Sequence, residues 1–405
     1  MKSKKICLFI IIVLLVIGTT FAIIMFTSKK EYSNNSRTSI TTTTISQTRS
    51  SKKEINFTFV GDLLFESLFY KAIDNGYDKN IYFNRIKKYF LDDDISVGNM
   101  EVVIGNNKLS VSGDGYNFCA PSYIGDLVNS LDFEILTTAN NHSNDRGIVG
   151  IDSTIDYFKN NTDILTVGTY KDDEDRESSR IIEVDGVKVG FLGYTYGTNI
   201  KVDKSNRSRI GLYRNPDTKT FTDEYKSLLT KEITDLKNKT DIQVVIMHWG
   251  TEFTFTPNNE QKEMAEFLNS LGVDIIVGSH SHSIQPIDII GDDNKTLVYY
   301  SMGNFVSHDD DIARTEKGYE TFDNAYQFGL LSKVRLEYDN NNIEFKEIKT
   351  IPIVNYFDKN KTNFELIPYS EYDTNYETSH YRYKLGLNKK FIEETFNSVI
   401  DECYQ

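Results

Sequence analysis

Residues 242–250 read IQVVIMHWG, and residues 274–282 read DIIVGSHSH. Each is a short Ile/Val-rich run that stops at histidine. Runs of this length and composition are consistent with buried strands. The same form recurs along the chain. INFTFV (55–60) ends at Gly61-Asp62, and Ile95-Ser96-Val97 leads into Gly98-Asn99-Met100-Glu101. FEILTTA (133–139) ends at Asn140-Asn141-His142, and VYYS (298–301) ends at Met302-Gly303-Asn304. Helical spacing lies between several of these runs: Ile148, Ile151, Ile155 and Phe158 in 147–159, and Met264, Ala265, Leu268 and Leu271 in 260–271. Strand–helix–strand alternation implies βαβ units, whose ligand sites lie beyond the carboxyl ends of the strands.

Elsewhere the pattern turns antiparallel. Residues 180–196 carry Asp185-Gly186, a strong hairpin signal, and 330–353 are broken by Asp339-Asn340-Asn341-Asn342, a second one. The mixture favours a two-sheet sandwich with outer helices over a single doubly wound sheet. A Tyr-rich stretch (369–383) and a terminal helix within 387–403 follow.

The 405 residues are 39% hydrophobic and 26% charged, which excludes both a disordered chain and a multi-span membrane protein. The net charge of −14 argues against a general nucleic-acid binder. That charge is divided. Residues 1–54 hold nine Lys/Arg against two acids, a net +7, and the rest carries −21. Residues 6–25 (ICLFIIIVLLVIGTTFAIIM) contain no charge and are long enough to span a bilayer, with Lys2, Lys4 and Lys5 placing the N-terminus in the cytoplasm. The competing reading, a cleaved signal peptide, has a shorter apolar region and a small-x-small site that is missing here. The expectation is a single-pass anchor (1–30), a Ser/Thr-rich tether (31–54) and an extracytoplasmic body. Cys119 and Cys403 are far apart in sequence, and their spacing neither requires nor excludes a disulfide.

The chemistry-bearing residues at the strand ends are Asp62, Glu101, Asn141, His142, His248, His280 and His282. Between them lie gaps of 39, 40, 106 and 32 residues, so only a fold unites them. Carboxylate, amide and imidazole donors together suit Mn, Fe or Zn, whereas an all-oxygen set would indicate Mg or Ca. Singly, each motif has a bland reading: a turn at Gly61-Asp62, a helix cap at Asn140-Asn141, a solvated loop acid at Glu101, a satisfied histidine at His248. Four of the six histidines nonetheless fall in these motifs, and His280-Ser281-His282 brings two imidazoles within reach of neighbouring metals.

GDLLF (61–65), GNMEVVIG (98–105), TANNHSNDRGIVGIDST (138–154), HWGTEF (248–253), GSHSHSIQP (278–286) and YSMGNF (300–305) resemble, in order, the blocks of the CapA capsule-synthesis proteins, within the calcineurin-like metallophosphoesterase superfamily. The resemblance covers about 55–306. It implies an α/β fold, a four-layer α/β/β/α sandwich, expected over 55–360; the resemblance does not reach 361–405, which the composition sets apart as a Tyr-rich C-terminal extension. It further implies one or two divalent metal ions held by Asp62, Glu101 (the bridging acid), Asn141, His248, His280 and His282. His142, oriented by Asp145, would serve the leaving oxygen, and Trp249, Glu252 and Asn304 would line the substrate pocket. His308, followed by Asp309-Asp310-Asp311, is a weaker pocket or metal candidate. Two departures from the superfamily pattern leave the metal number open: Gly61-Asp62 lacks a following Asp-x-His histidine, and the second acid is Glu rather than Asp.

The function so implied is capsule or cell-surface polymer (poly-γ-glutamate-like) synthesis, export or anchoring at the cell membrane, by metal-dependent phosphoester hydrolysis. Its expected partners are polymer synthase subunits, with the polymer or a phosphorylated precursor as substrate. The alternative is a non-catalytic accessory subunit of a membrane polymer synthase or export complex.

Overall fold

The computed structural model describes residues 52–106, 108–114, 117–309 and 320–405. The expected anchor, its orientation and most of the tether lie outside the described residues, as do Asp310 and Asp311. Among the described residues, no helix is long and apolar enough to cross a membrane. The chain divides into two units, Met1–Ser50 and Ser51–Gln405, and the second carries the site.

Seventeen strands are described in that unit. They are β1 (Lys53–Leu63), β2 (Ile95–Met100), β3 (Val103–Ile104), β4 (Ser112–Asp114), β5 (Asn117–Ala120), β6 (Ile135–Thr137), β7 (Leu165–Val167), β8 (Arg180–Val184) and β9 (Val187–Thr195). They continue with β10 (Ile242–His248), β11 (Ile275–Ser279), β12 (Ile287–Ile290), β13 (Thr296–Tyr299), β14 (Asn304–Val306), β15 (Phe328–Asp339), β16 (Asn342–Phe357) and β17 (Phe364–Pro368). The first sheet runs β17-β16-β15-β1-β2-β6-β7, with β14 also on β1, and the second runs β12-β13-β11-β10-β9-β8. A small third sheet joins β3, β5 and β4. Parallel pairing holds the centres, β1–β2–β6–β7 and β9–β10–β11–β13, and antiparallel strands flank them.

Both faces of each central strand are covered, which is why the sequence shows continuous apolar runs rather than alternation. Phe57, Phe59, Val97 and Ile135 of the first sheet share one buried cluster with Val189, Val244, Ile246 and Val277 of the second. The intervening side chains point the other way. Val60, Met100 and Leu136 pack with Ile124, Leu127 and Phe158 of the helices Tyr123–Asn129 and Gly147–Asn161. Val245, Met247 and Ile276 pack with Leu229, Ile233, Met264 and Leu268 of the helices Asp223–Lys237 and Asn259–Ser270. Each such side chain contributes roughly 1.5–3 kcal/mol when fully buried. The result is a mixed α/β fold on central sheets.

Both expected hairpins form. Val184 pairs with Val187 across Asp185-Gly186, and Asp339 with Asn342 across Asn340-Asn341. All four turn residues have positive φ, as a two-residue turn with the right twist requires. The stretch 361–405, set apart in the sequence by its tyrosines, packs into the same unit. It supplies edge strand β17, and Tyr372, Leu387, Ile392, Phe396 and Ile400 enter the core between the sheets. Cys119 is buried and Cys403 exposed, and both are free thiols.

Register sets up the site. Asp62 lies opposite Asn99 on β2 and Asn304 on β14, and His248 lies opposite Ser279 on β11 and Thr195 on β9. Gly61 permits the first of these approaches, because a Cβ there would stand 1.9 Å from the Gly303 carbonyl oxygen.

Candidate metal centre

The strand ends of the two sheets meet at one seam. The first sheet brings Asp62 from β1, Glu101 just past β2, and Asn141 and His142 from the turn after β6. The second brings His248 at the end of β10 and His280 and His282 just past β11. Asp62, Glu101 and His248 are fully buried, and Asn141, His142, His280 and His282 nearly so.

Beyond Ser279 the chain turns with φ of 96° at His280 and 50° at His282. Left-handed backbone costs a non-glycine residue roughly 1–2 kcal/mol. The turn is held by the His280 N–H on Asp62 Oδ2 (3.2 Å), the Phe253 N–H on the Ser281 carbonyl (2.8 Å) and the Ser281 hydroxyl on the Ser283 carbonyl (2.7 Å). Strain of this kind, kept in place by its surroundings, is a mark of functional sites.

The donor atoms form two triplets, Asp62–Glu101–His248 and Glu101–His280–His282, within each of which all ligand atoms lie within 4.8 Å of one another. Glu101 belongs to both. Its Oε1 stands 3.5 Å from His248 Nε2 and 3.8 Å from His282 Nε2, and His282 Nδ1 stands 3.5 Å from Asp62 Oδ2. Asn141 Oδ1 is 2.7 Å from His248 Nε2. Glu101 Oε1 and His280 Nδ1 are buried and have no hydrogen-bond partner among the described residues. Two orphaned, convergent donors in a carboxylate–imidazole set fit a divalent cation, since such burial otherwise costs free energy with nothing to offset it.

The electrostatics agree. Burial, and then the Asp62 charge, push the Glu101 carboxyl well above its ordinary range. Burial and the neighbouring imidazoles hold His248 and His280 well below theirs, so both are neutral, the form that ligates. Burial also lowers His282, but the Asp62 and Glu252 carboxylates outweigh it and leave that histidine raised.

Supporting groups fix three of the four imidazoles. The Ser279 hydroxyl lies 2.9 Å from His248 Nδ1, and Asn304 Oδ1 lies 2.9 Å from His282 Nδ1. Such partners set tautomer and ring direction. His142 Nδ1 lies 2.7 Å from Asp145 Oδ2, which also accepts the Phe118 N–H at 2.6 Å.

Three of the expected assignments change in kind. Trp249 does not face the seam. One residue past His248 it points to the opposite face of the sheet, where its indole is buried with Met264 and Leu268 and donates to the Tyr300 carbonyl at 2.9 Å. Asn304 is buried, with its amide spanning His282 and the Tyr326 carbonyl, so it holds His282 rather than facing a substrate. His308 is stacked on Phe69 at 4.4 Å and bonded to the Tyr82 hydroxyl, and burial lowers it to about 3, which makes it a neutral core residue. Glu252 stands at the partly exposed rim, where its charge reaches Glu101 and His282.

The sequence reading passed over the polar hub. The Asn99 amide donates to Asp62 Oδ1 at 2.7 Å and lies 3.4 Å from Glu101 Oε2, while its Oδ1 accepts from Asn140 at 3.1 Å. It also passed over Tyr196, whose ring packs against His280 with centroids 4.6 Å apart, and Asn199 beside His142. The strand-end rule would have found these two, since both follow β9.

Fold and site together define a mixed α/β protein with a buried carboxylate–imidazole cluster able to hold divalent metal. Residues 56–309 match the profile of the bacterial capsule synthesis protein family PGA_cap. The chain belongs to that family. It is 29% identical over 254 residues to the PGA biosynthesis protein CapA of Bacillus subtilis (strain 168), covering 62% of this chain and 63% of that protein, just under two thirds of its length. It is 27% identical over 350 residues to the capsule biosynthesis protein CapA of Bacillus anthracis, covering 84% and 80%. Among solved structures it is similar to the calcineurin-like phosphoesterase YfkN from Bacillus subtilis (TM-score 0.41, 14% identity, 74% of this chain and 90% of that one). It is also similar to a phosphatase from Mycoplasma pneumoniae (TM-score 0.42, 16% identity, 75% and 94%).

Proposed function

We propose that this chain is a membrane-anchored, extracytoplasmic, metal-dependent phosphoester hydrolase that serves capsule or cell-surface polymer (poly-γ-glutamate-like) synthesis, export or anchoring. The observation that carries this reading is the convergence of two donor triplets on one shared carboxylate, Glu101. We read the layers as the α/β/β/α sandwich of metallophosphoesterases, with the strand ends as its rim. Asp62, Glu101, Asn141, His248, His280 and His282 would hold one or two of Mn, Fe or Zn. A bound divalent ion supplies Lewis-acid polarisation and charge neutralisation at a phosphoryl group.

The residues supply the rest. Asp145 accepts the His142 Nδ1–H and would support the imidazolium, from whose Nε2–H a leaving oxygen would take its proton. Ser279 and Asn304 hold His248 and His282 on target. Anchoring rests on the uncharged run 6–25, and an acidic body leaves metal as the main attraction for a phosphate. Purified full-length protein with Mn²⁺ is expected to hydrolyse p-nitrophenyl phosphate or its bis-ester, and His280→Ala to lose that activity. Equal background rates for both proteins would sink the hydrolase reading.

The near-complete burial of every ligand supports a second reading, a non-catalytic accessory subunit with structural metal. Under it, synthase subunits co-purify from membranes with wild type and with His280→Ala alike. Loss of those partners alongside intact hydrolysis would exclude it.

A further inference from the structure

The segment Thr195–Lys201 leaves β9 in the second sheet and crosses the seam to the first. On its own side, the Tyr196 N–H donates to the His248 carbonyl at 3.2 Å, and the Tyr196 ring lies against His280. Arg214 sits over that ring at 5.1 Å and donates to the Tyr196 carbonyl, locking the loop from outside. On the far side, the Asn199 N–H donates to the Asn141 carbonyl at 2.7 Å. The Asn199 side chain does two more things. Its Oδ1 accepts from Asn141 Nδ2 at 3.5 Å, and its Nδ2 stands 3.4 Å from His142 Nε2. Asn144 closes the grip by donating to the Ile200 carbonyl at 3.0 Å. One short loop therefore touches ligands of both sheets.

The amide of Asn141 has two ends. A metal takes the oxygen, so whatever holds Nδ2 decides where that oxygen points. Among the described residues, Asn199 Oδ1 is the acceptor at that end. We propose that Asn199 is a positioning residue of the metal centre, which aligns the Asn141 amide, and through it His142, with the imidazoles of the opposite sheet. The proposal rests on the metal-centre reading above. Asn199 is itself exposed, so it acts from the solvent side of the site and its replacement opens no core.

The test is Mn²⁺ affinity of the full-length protein by calorimetry, with the visible spectrum of the Co²⁺-loaded form as a direct report on ligand geometry. Asn199→Ala removes the side-chain acceptor and keeps the backbone bond to Asn141. It is expected to weaken Mn²⁺ about tenfold and to shift the Co²⁺ bands. Asn199→Asp keeps an acceptor at the same place and is expected to stay within about threefold of wild type, a rescue that a general structural role would not produce. Thr198→Ala, which loses only a bond to the Ile200 carbonyl, should match wild type. Wild-type affinity and spectrum in Asn199→Ala, or an Asp variant as weak as the Ala variant, would overturn the proposal. Failure of wild type to bind Mn²⁺ at all would instead overturn the metal reading, and this proposal with it.

Discussion

Glu101 is the residue on which both donor triplets depend, and burial keeps its proton on far above the ordinary carboxylate range. Metal must displace that proton, so affinity should rise with pH, with proton release on binding. Titration of Mn²⁺ at pH 6 and pH 8 in buffers of different ionisation enthalpy measures both. Glu101→Gln keeps shape and loses charge, and should weaken Mn²⁺ at least about 100-fold, more than the loss of a supporting partner does. Ser279→Ala is such a loss. It leaves His248 Nδ1 without its hydroxyl and should cost about tenfold. The converging side chains of the cluster were legible in the sequence because each ends an apolar run. Asn99 and Asn140 were not, because asparagine after an apolar run reads as turn chemistry whether or not its amide is buried. Trp249 misled for a simple reason: side chains alternate along a strand, so the neighbour of an inward ligand faces away.

At the scale of elements, the parallel strands β1 and β14 approach too closely for any side chain at Gly61. Gly61→Ala should destabilise the fold by about 3 kcal/mol, measurable by urea unfolding. At the opposite end of the second sheet, Asp274 just before β11 accepts the Gln243 N–H at 2.8 Å, and burial raises it to about 7. A carboxyl raised on folding stabilises while protonated, and that contribution fades as pH rises through about 7. Asp274→Asn keeps an acceptor and removes the charge. It should unfold at higher urea than wild type at pH 8 and show little or no such gain at pH 4. Strands and both hairpins were readable because covered faces leave continuous apolar runs and two-residue turns need particular residues. The stretch 361–405 was less so. Its core residues, such as Tyr372, Leu387 and Ile392, are carried by short elements with little periodicity to display.

Over the whole molecule, the net −14 divides into a +7 leader and a −21 remainder. An acidic body draws cations toward it, so metal uptake should slow as salt rises, which stopped-flow mixing with Mn²⁺ would register. The six candidate ligands come from both sheets, three from each. Metal bound only by the folded state stabilises it by about 2.7 kcal/mol at a hundred times Kd. For a body of this size that is a rise of about 4 °C in Tm on adding Mn²⁺, absent in Glu101→Gln.

The same seam has a meaning for the life of the protein outside the test tube. On the metal reading, the two sheets would be riveted at one edge by an ion drawn from the surroundings. Where that ion is scarce, the rivet would be missing from every copy at once, and the sheets would open there more often. Proteases take chains that open. Metal supply would then set how many copies survive, so that scarcity thins the population of the protein as well as silencing its site.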